Sequence, residues 1–487
     1  MTDTFDADGI TLRRLREHVW EIDREGEMRV PGRVLASEAL LEEIKEDRTL
    51  TQLRNTTHLP GIQKHAICMP DGHQGYGFPV GGVAGIDAKE GCISPGAVGY
   101  DINCGVRLIR TNLTYSDVRG REEELVDALF DNIPSGLGGG GVVESDVETV
   151  EEILDRGVDW ALENGYAVPG DLEHCEDEGV FDRSDPAKVS QEAKNRGKSQ
   201  IGSLGSGNHF LEVQRVTDVF LDDVAAEFGL SENQVVVLIH CGSRGLGHQV
   251  CTDYLRKIET AHQGLLERLP DKELAAAPAG SQLAEEYYLA MGAAINYAWV
   301  NRQLVMHQTR KTFEEVFDRS WEAMDMHLIY DVAHNIAKQE VHTVDGEDRE
   351  LFVHRKGATR AFPAGHPEVP EAYREVGQPI IIPGSMGAGS YVLRGGENSM
   401  DLTFGSTAHG AGRLMSRTRA KGEFWGGDVQ DDLREHEQVY VKAQSGATIA
   451  EEAPGVYKDI DEVVGVSDAL GIGDKVARTY PVCNIKG

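Results

Sequence analysis

The chain has 487 residues, enough to bury a large core without disulfides, and its 81 acidic against 48 basic residues give a formal net charge of −33, the reverse of the basic footprint usual for nucleic-acid binding. Its 7 cysteines (Cys68, Cys92, Cys104, Cys175, Cys241, Cys251 and Cys483) are an odd number with no paired spacing, which argues against a disulfide framework and for a reducing cytoplasm. The acidic start MTDTFDADGI is not a signal peptide, and no run approaches the roughly eighteen apolar residues of a membrane span.

In chain order, residues 1–55 read as a lead-in. HVWEIDREGEMRVPGRVLAS alternates and turns, and EALLEEIKED carries a helical apolar period. Residues 57–110 are rich in Gly and Pro, with short strand-like runs. Residues 121–190 read as an acidic excursion: amphipathic helices to 165, one starting at Ser145 and Asp146, then an exposed loop over 166–190. QVVVLIH (234–240) is a buried strand ending in the tight turn CGSRGLG, and in open sheets functional groups gather beyond strand carboxyl ends. Residues 283–318 form one long helix with an Ala-rich core face, and 379–393 read as strand, Gly-rich loop, strand. No internal repeat or low-complexity linker divides the chain. The candidate site residues run from 101 to 486, so the expected fold is one interwoven α+β domain over 1–487, with central sheets and flanking helices.

The acid concentrates in 142–185, 344–350 and 423–437, while the segments around the candidate ligands are neutral or basic. This placement favours a halophile's solubilising surface over a partner that is simply not a polyanion.

Asp101 and Cys104 lie in GYDINCGVR, His209 in GSLGSGNHFLE, His240 in VVVLIHCGSRG and His334 in DVAHNIAK. Thiolate, imidazole and carboxylate suit Mn²⁺, Zn²⁺ or Fe²⁺ better than Mg²⁺ or Ca²⁺. Taken singly, each is more often structural, a buried cysteine being usually an inert small hydrophobe. Together, at strand and turn ends, they point to a joint site. If they converge, Cys104 bridges two ions, with Asp101 and His209 completing one and His240 and His334 the other, an arrangement able to clamp both oxygens of a phosphoryl transfer. GSLGSGNH and PGSMGAGS are either backbone N–H nests for anions or ordinary turns, and neither matches a P-loop.

His409 precedes Gly-Ala-Gly and a predicted helix with Arg413, Arg417 and Lys421 on one face, a basic stripe at a helix N-terminus. Its imidazole either attacks phosphorus to form a phosphoramidate or only hydrogen-bonds phosphate. Arg196, Arg244 and Lys356 either track a phosphate backbone or are solvated surface groups. Lys486 is penultimate, where lysines are usually frayed.

Taken in order, GYDINCGVR, GSLGSGNHFLEVQ, HCGSRGLGHQV, DVAHNIAK, VHRKGATRAFPAGH, PGSMGAGSYVL, HGAGRLMSR, EEAPGVYKDID and the terminal IKG resemble the RtcB family of RNA-splicing ligases, from about residue 55 onward. With its acidic balance the chain looks like a haloarchaeal member. The resemblance implies a cytoplasmic, GTP-dependent RNA ligase with two Mn²⁺ per site, for which Zn²⁺ or Co²⁺ substitute. It would join 2′,3′-cyclic phosphate or 3′-phosphate RNA ends to 5′-hydroxyl ends, in tRNA splicing and RNA repair. Implied partners are tRNA exon halves, GTP and the activator archease, for a monomer without membrane contact. By motif, the metal ligands are Asp101, Cys104, His209, His240 and His334, and His409 carries GMP. The implied guanylate site takes Asn208, His209, Phe210, Leu211 and Glu212, then His334 and Asn335. It continues with Pro383, Gly384, Ser385, Met386 and Ser390, and ends with His409, Gly410, Ala411, Gly412, Tyr457 and Lys486. Glu212 and Lys486 would read the guanine edge. Arg196, Arg244, Lys356, Arg413 and Arg417 would meet RNA phosphates. Two positions depart from the family pattern: Cys241, where relatives usually carry Thr or Ser and which places a second soft ligand beside His240, and Ala408, where many carry Cys. The competing readings are a bimetal cyclic-phosphate phosphoesterase without ligation and a non-catalytic RNA scaffold.

Overall fold

In the computed structural model, which describes residues 4–7, 9–136 and 140–487, the lead-in is built into a sheet rather than set ahead of one. Thr4–Ala7, Ile10–Arg16, Val19–Ile22 and Gly32–Leu35 pair in succession and continue into Ala66–His73, Val80–Asp87, Glu347–Lys356 and Asn335–Val344. Gly32–Leu35 runs parallel to Ala66–His73, and the helices Glu38–Ile44 and Thr49–Thr56 occupy the crossover that a parallel pair requires. Ser37 starts the first of these by accepting the Leu40 N–H, and Leu40, Leu41 and Ile44 are its buried residues.

The second sheet runs Leu328–Ala333, Gly105–Thr114, Gln234–Cys241, Phe210–Val219, Gly473–Lys486, Ser390–Gly395, Pro379–Ile382, with Tyr440–Ala443 added parallel to Gly473–Lys486. Every residue of Gln234–Cys241 is buried, as its unbroken apolar run predicts for a strand covered on both faces. The expected long helix is Gln282–Phe317, capped by the Ser281 hydroxyl and packed on this sheet. Edge strand Leu328–Ala333 of the second sheet passes through His334 into Asn335–Val344 of the first. Helices and sheets thus form the expected interwoven α+β domain. Among the described residues no helix is long and apolar enough to cross a membrane.

A buried ion cluster fixes the seam. Asp331 Oδ2 accepts from Arg107 Nε at 2.7 Å and Arg302 Nε at 2.8 Å, and Arg302 Nη2 donates to Oδ1 at 2.8 Å, all with side chains fully buried. Arg302 Nη1 also donates to the carbonyls of Asn103 at 2.7 Å and Cys241 at 2.9 Å. One guanidinium therefore neutralises Asp331 and holds the two segments that carry Cys104 and His240. Removing one partner of such a cluster leaves an uncompensated buried charge, at a cost of about 3–5 kcal/mol. Asp331→Ala should lose that much stability in urea unfolding; a loss below about 1 kcal/mol would mean the two arginines find other partners.

The stretch 166–190 is not the exposed loop its composition suggests. Asp171 and Glu176 are both 1% exposed. Asp171 accepts from Arg310 Nη1 and Nη2 at 2.8 and 2.7 Å, and Glu176 accepts from Lys338 Nζ at 2.6 Å and from the Ala333 N–H at 2.8 Å. The neutralising cations sit more than a hundred residues away, so local acidity misreads as solvation.

Candidate active site

The turn Asp101–Cys104 closes through Cys104 N–H to the Asp101 carbonyl at 3.0 Å, and Asn103, at φ 54°, donates its amide to Ile295 on the long helix at 2.9 Å. Cys104 Sγ lies 3.4 Å from both His209 Nε2 and His240 Nε2. His240 Nε2 is 3.3 Å from His334 Nε2, and His209 Nε2 is 2.8 Å from Asp101 Oδ2. Two groups with ligand atoms within 4.8 Å of one another result, Asp101–Cys104–His209 and Cys104–His240–His334, sharing the thiol. Gly242 makes room for the first, since a Cβ there would stand 2.3 Å from Asp101 Oδ1.

Burial, then the neighbouring imidazoles, hold His240 and His334 well below the usual histidine range, so both rings are neutral. Burial and the nearby Asp101 push the Cys104 thiol up. The remaining ring nitrogens of His209 and His334, Nδ1 in each, are buried without a hydrogen-bond partner. Neutral imidazoles converging Nε2 to Nε2 around one sulfur fit soft or borderline divalent cations better than they fit one another.

His409 stands beside this cluster, its ring centroid 4.8 Å from that of His334. It does not open a helix. It follows the strand Ser406–Ala408, and the helix begins only at Arg417, after the Ser416 cap. Gly412, at φ 77°, passes so close to Asp71 that a Cβ would lie 2.2 Å from its carbonyl oxygen, and Arg413 is bridged to Tyr457 in extended backbone. Extended chain here breaks the expected basic stripe, and the helix that carries Arg417 does not begin at His409.

Asp71 acts instead, and sequence reasoning missed it. Its fully buried carboxylate accepts from His409 Nδ1 at 2.6 Å and from the backbone N–H of His409 at 3.0 Å and Gly410 at 3.3 Å. A neutral ring held in this way carries its proton on Nδ1 and so turns its lone pair to Nε2. The one sequence signal was a carboxylate at the end of the apolar strand AICMPD. His409, His334, His240, Asn208, Arg413 and Arg417 line one cavity of about 240 Å³.

The sequence profile of the family described as tRNA-splicing ligase RtcB matches residues 52–487. The chain belongs to the RtcB family. It is 56% identical over 479 residues to a tRNA-splicing ligase RtcB of Thermococcus kodakarensis, covering 98% of this chain and 99% of that one. Similar relatives are those of Aeropyrum pernix (51% over 482 residues, 98% and 100% covered) and Archaeoglobus fulgidus (50% over 478 residues, 98% and 99% covered). Membership makes the chain a ligase.

The other positions suggested by the RtcB motifs divide by burial. Asn335 lines the cavity and fixes its walls, donating to the Asp101 carbonyl at 3.1 Å and accepting the Gly357 N–H at 2.9 Å. Pro383, Gly384, Ala411 and Tyr457 also line it. Ser390 Oγ accepts the Gly384 N–H at 3.3 Å. Ser385 is buried, and the Leu211 and Met386 side chains lie in hydrophobic clusters. Glu212 and Lys486 are buried on paired strands next to the cavity rather than on its wall. Glu212 accepts from Gln214 Nε2 at 2.6 Å and from the Asn484 amide. Lys486 is not frayed: paired opposite Phe210, it holds Nζ 5.1 Å from that ring and 3.8 Å from Glu452 Oε2. The fully buried Glu452 also takes the Tyr457 hydroxyl and Arg413 Nη1 at 2.9 Å, a hub that the sequence did not reveal.

Of the five basic candidates, Arg413, Arg417 and Lys356 line the cavity. Arg417 reaches Asn208 Oδ1 at 3.2 Å. Lys356 Nζ is buried against the carbonyls of Tyr76, Phe78 and Gly96 at 2.7, 3.1 and 2.9 Å. Arg244 is buried and donates to the Gly136 carbonyl at 2.8 Å, while Arg196 is exposed and pairs with Glu192 at 3.0 Å. The N–H groups of Gly202 and Ser203 point to Asn301 Oδ1 at 2.7 and 3.0 Å, so this part of the Gly/Ser loop is no open anion nest. Cys241 is not a rival ligand. Strand alternation turns it away from His240 into a hydrophobic cluster, where Sγ meets the Ser203 carbonyl at 3.2 Å. Ala408 is buried in its strand.

Proposed function

We propose that this ligase seals RNA, joining a 2′,3′-cyclic phosphate or 3′-phosphate end to a 5′-hydroxyl end with GTP as the activating nucleotide and Mn²⁺ as the metal. The observation that carries the reading is His409, locked through Nδ1 onto Asp71 beside the Cys104–histidine cluster and two cavity arginines. Asp101, Cys104 and His209 would hold one ion and Cys104, His240 and His334 a second; bound there, divalent ions neutralise phosphate oxygens.

His409 Nε2 attacks the α-phosphorus of GTP. An N–P bond forms, the P–O bond to pyrophosphate breaks, and Asp71 stabilises the charge left on the ring. Water opens a cyclic phosphate to the 3′-phosphate. An oxygen of that phosphate then displaces His409 from phosphorus, giving RNA(3′)pp(5′)G, and the 5′-hydroxyl attacks the RNA phosphorus and expels GMP. The order is chemically required, because a 3′-phosphate is a poor electrophile until GMP makes one of its oxygens a leaving group. Arg413 and Arg417 supply fixed positive charge, and the protein's contribution is chiefly position and electrostatics. The names of the relatives favour tRNA exon halves as substrates; RNA repair, archease activation, a monomeric state, a cytoplasmic setting and a salt-adapted acidic surface complete the reading.

The test is incubation with GTP labelled at the α-phosphate, Mn²⁺ and tRNA halves, at low and at molar KCl. Label on the protein followed by joined RNA is expected. Turnover of cyclic phosphate without GTP and without labelled protein would select the phosphoesterase instead.

Asp71→Asn should keep the fold but lose roughly 10²–10⁴ in the rate of protein labelling, because an amide no longer fixes the ring tautomer or stabilises the charged ring. Near-normal labelling would reduce Asp71 to packing.

Burial pushes Glu212 up to about 7, against the pull of Lys486. Its carboxylate must be ionised to accept the guanine N–H groups, so the KM for GTP should rise as pH falls below about 7. The same penalty disfavours the folded state as pH rises from the ordinary carboxylate range toward 7, because folding then buries a charge. Glu212→Gln should flatten the KM profile; an unchanged profile would exclude Glu212 as the base reader.

A further inference from the structure

The chemistry above leaves an aromatic cluster at the cavity wall unused. Tyr100, the residue before Asp101, lines the same cavity as His409 and is half-buried. Its ring stacks on that of His248, with centroids 4.8 Å apart and planes at 25°, and meets Tyr76 edge-on at 5.6 Å and 63°. His248 is exposed on the first turns of the helix Arg244–Ala261, and Tyr76 is half-buried.

One feature sets this cluster apart from ordinary packing. Its backbone is held from beneath: Lys356 binds the carbonyls of Tyr76, Phe78 and Gly96, and Gln52 grips Gly75 through both its amide atoms, at 2.7 and 3.0 Å. The backbone that carries Tyr76 is therefore anchored before any ligand arrives.

We propose that Tyr100, backed by His248 and Tyr76, is a stacking platform for the terminal nucleobase of an RNA end presented to His409; this rests on the ligase reading above. Stacking on an aromatic face tolerates any base, which suits an enzyme that must accept ends of differing sequence.

The test compares RNA substrates with a normal or an abasic terminal nucleotide, placed on the phosphate-bearing strand in one arm and on the 5′-hydroxyl strand in the other. The readout is the ratio of KM values, abasic over normal, within each protein. For the native chain this ratio should be about five- to a hundredfold in the arm whose base stacks, with kcat little moved. Tyr100→Phe should keep the ratio, Tyr100→Leu should bring it near unity, and His248→Ala should lower it. A native ratio within twofold of unity in both arms, or an undiminished ratio in Tyr100→Leu, overturns the platform. If Tyr100→Leu does not fold, the native ratio and His248→Ala decide, and an undiminished ratio in His248→Ala also counts against it. Failure of the ligase reading looks different: no labelled protein and no joined RNA from the native chain with normal ends.

Discussion

His409→Ala should take up no label from GTP labelled at the α-phosphate, and should join no RNA. The expectation is a complete loss rather than a slowing, because the other imidazoles at the cavity are committed elsewhere. His240 and His334 turn Nε2 toward each other at 3.3 Å, and His209 turns Nε2 toward Asp101. His73, which also lines the cavity, holds Nδ1 on the Asp71 carbonyl at 3.0 Å, so among the described residues lining it only His409 has one ring nitrogen tied to a buried carboxylate and the other left as a nucleophile on the wall. The variant should fold, since Asp71 keeps its two backbone donors at 409 and 410. It should still ligate RNA that already carries the 3′-pp-5′-G end, because that substrate bypasses the histidine. Full labelling of the variant would remove His409 as nucleophile; failure on the preactivated end would place the defect elsewhere in the site.

Cys104→Ala has the second largest expected effect. The thiol belongs to both ligand groups, so its loss takes one donor from each. Losing even a residue that only supports a ligand typically costs 10–100-fold in metal affinity or activity, so ligation should fall at least a hundredfold. Bound Mn²⁺, measured by elemental analysis after dialysis, should fall with it. In Co²⁺-loaded protein the sulfur-to-metal charge-transfer band should vanish. Unchanged ligation with unchanged metal content would favour the scaffold reading over either enzyme.

Much of this architecture could be read from residue order. The run QVVVLIH, the long helix from 282 and the hairpin around PGSMGAGS are decided by local apolar pattern, and local pattern is what a single sequence displays. The errors share a cause. Asp171 and Glu176 look solvated until Arg310 and Lys338 arrive from distant segments. The spacing of Arg413, Arg417 and Lys421 satisfies a helix on paper, but Gly412 must pass against Asp71 and Arg413 must bridge to Tyr457, so the helix starts late. Asp71 lies in no quoted motif, and Glu452, though within EEAPGVYKDID, shows no partner there. The role of each exists only once a distant segment supplies His409 or Arg413.

The strand Gly473–Lys486 lies between Phe210–Val219 and Ser390–Gly395, in the middle of the second sheet. A chain lacking those residues would present two unpaired sheet edges and would lose the strand that pairs with the Phe210 wall of the cavity. Variants with this strand removed should therefore be sticky, short-lived and readily cleared by proteolysis.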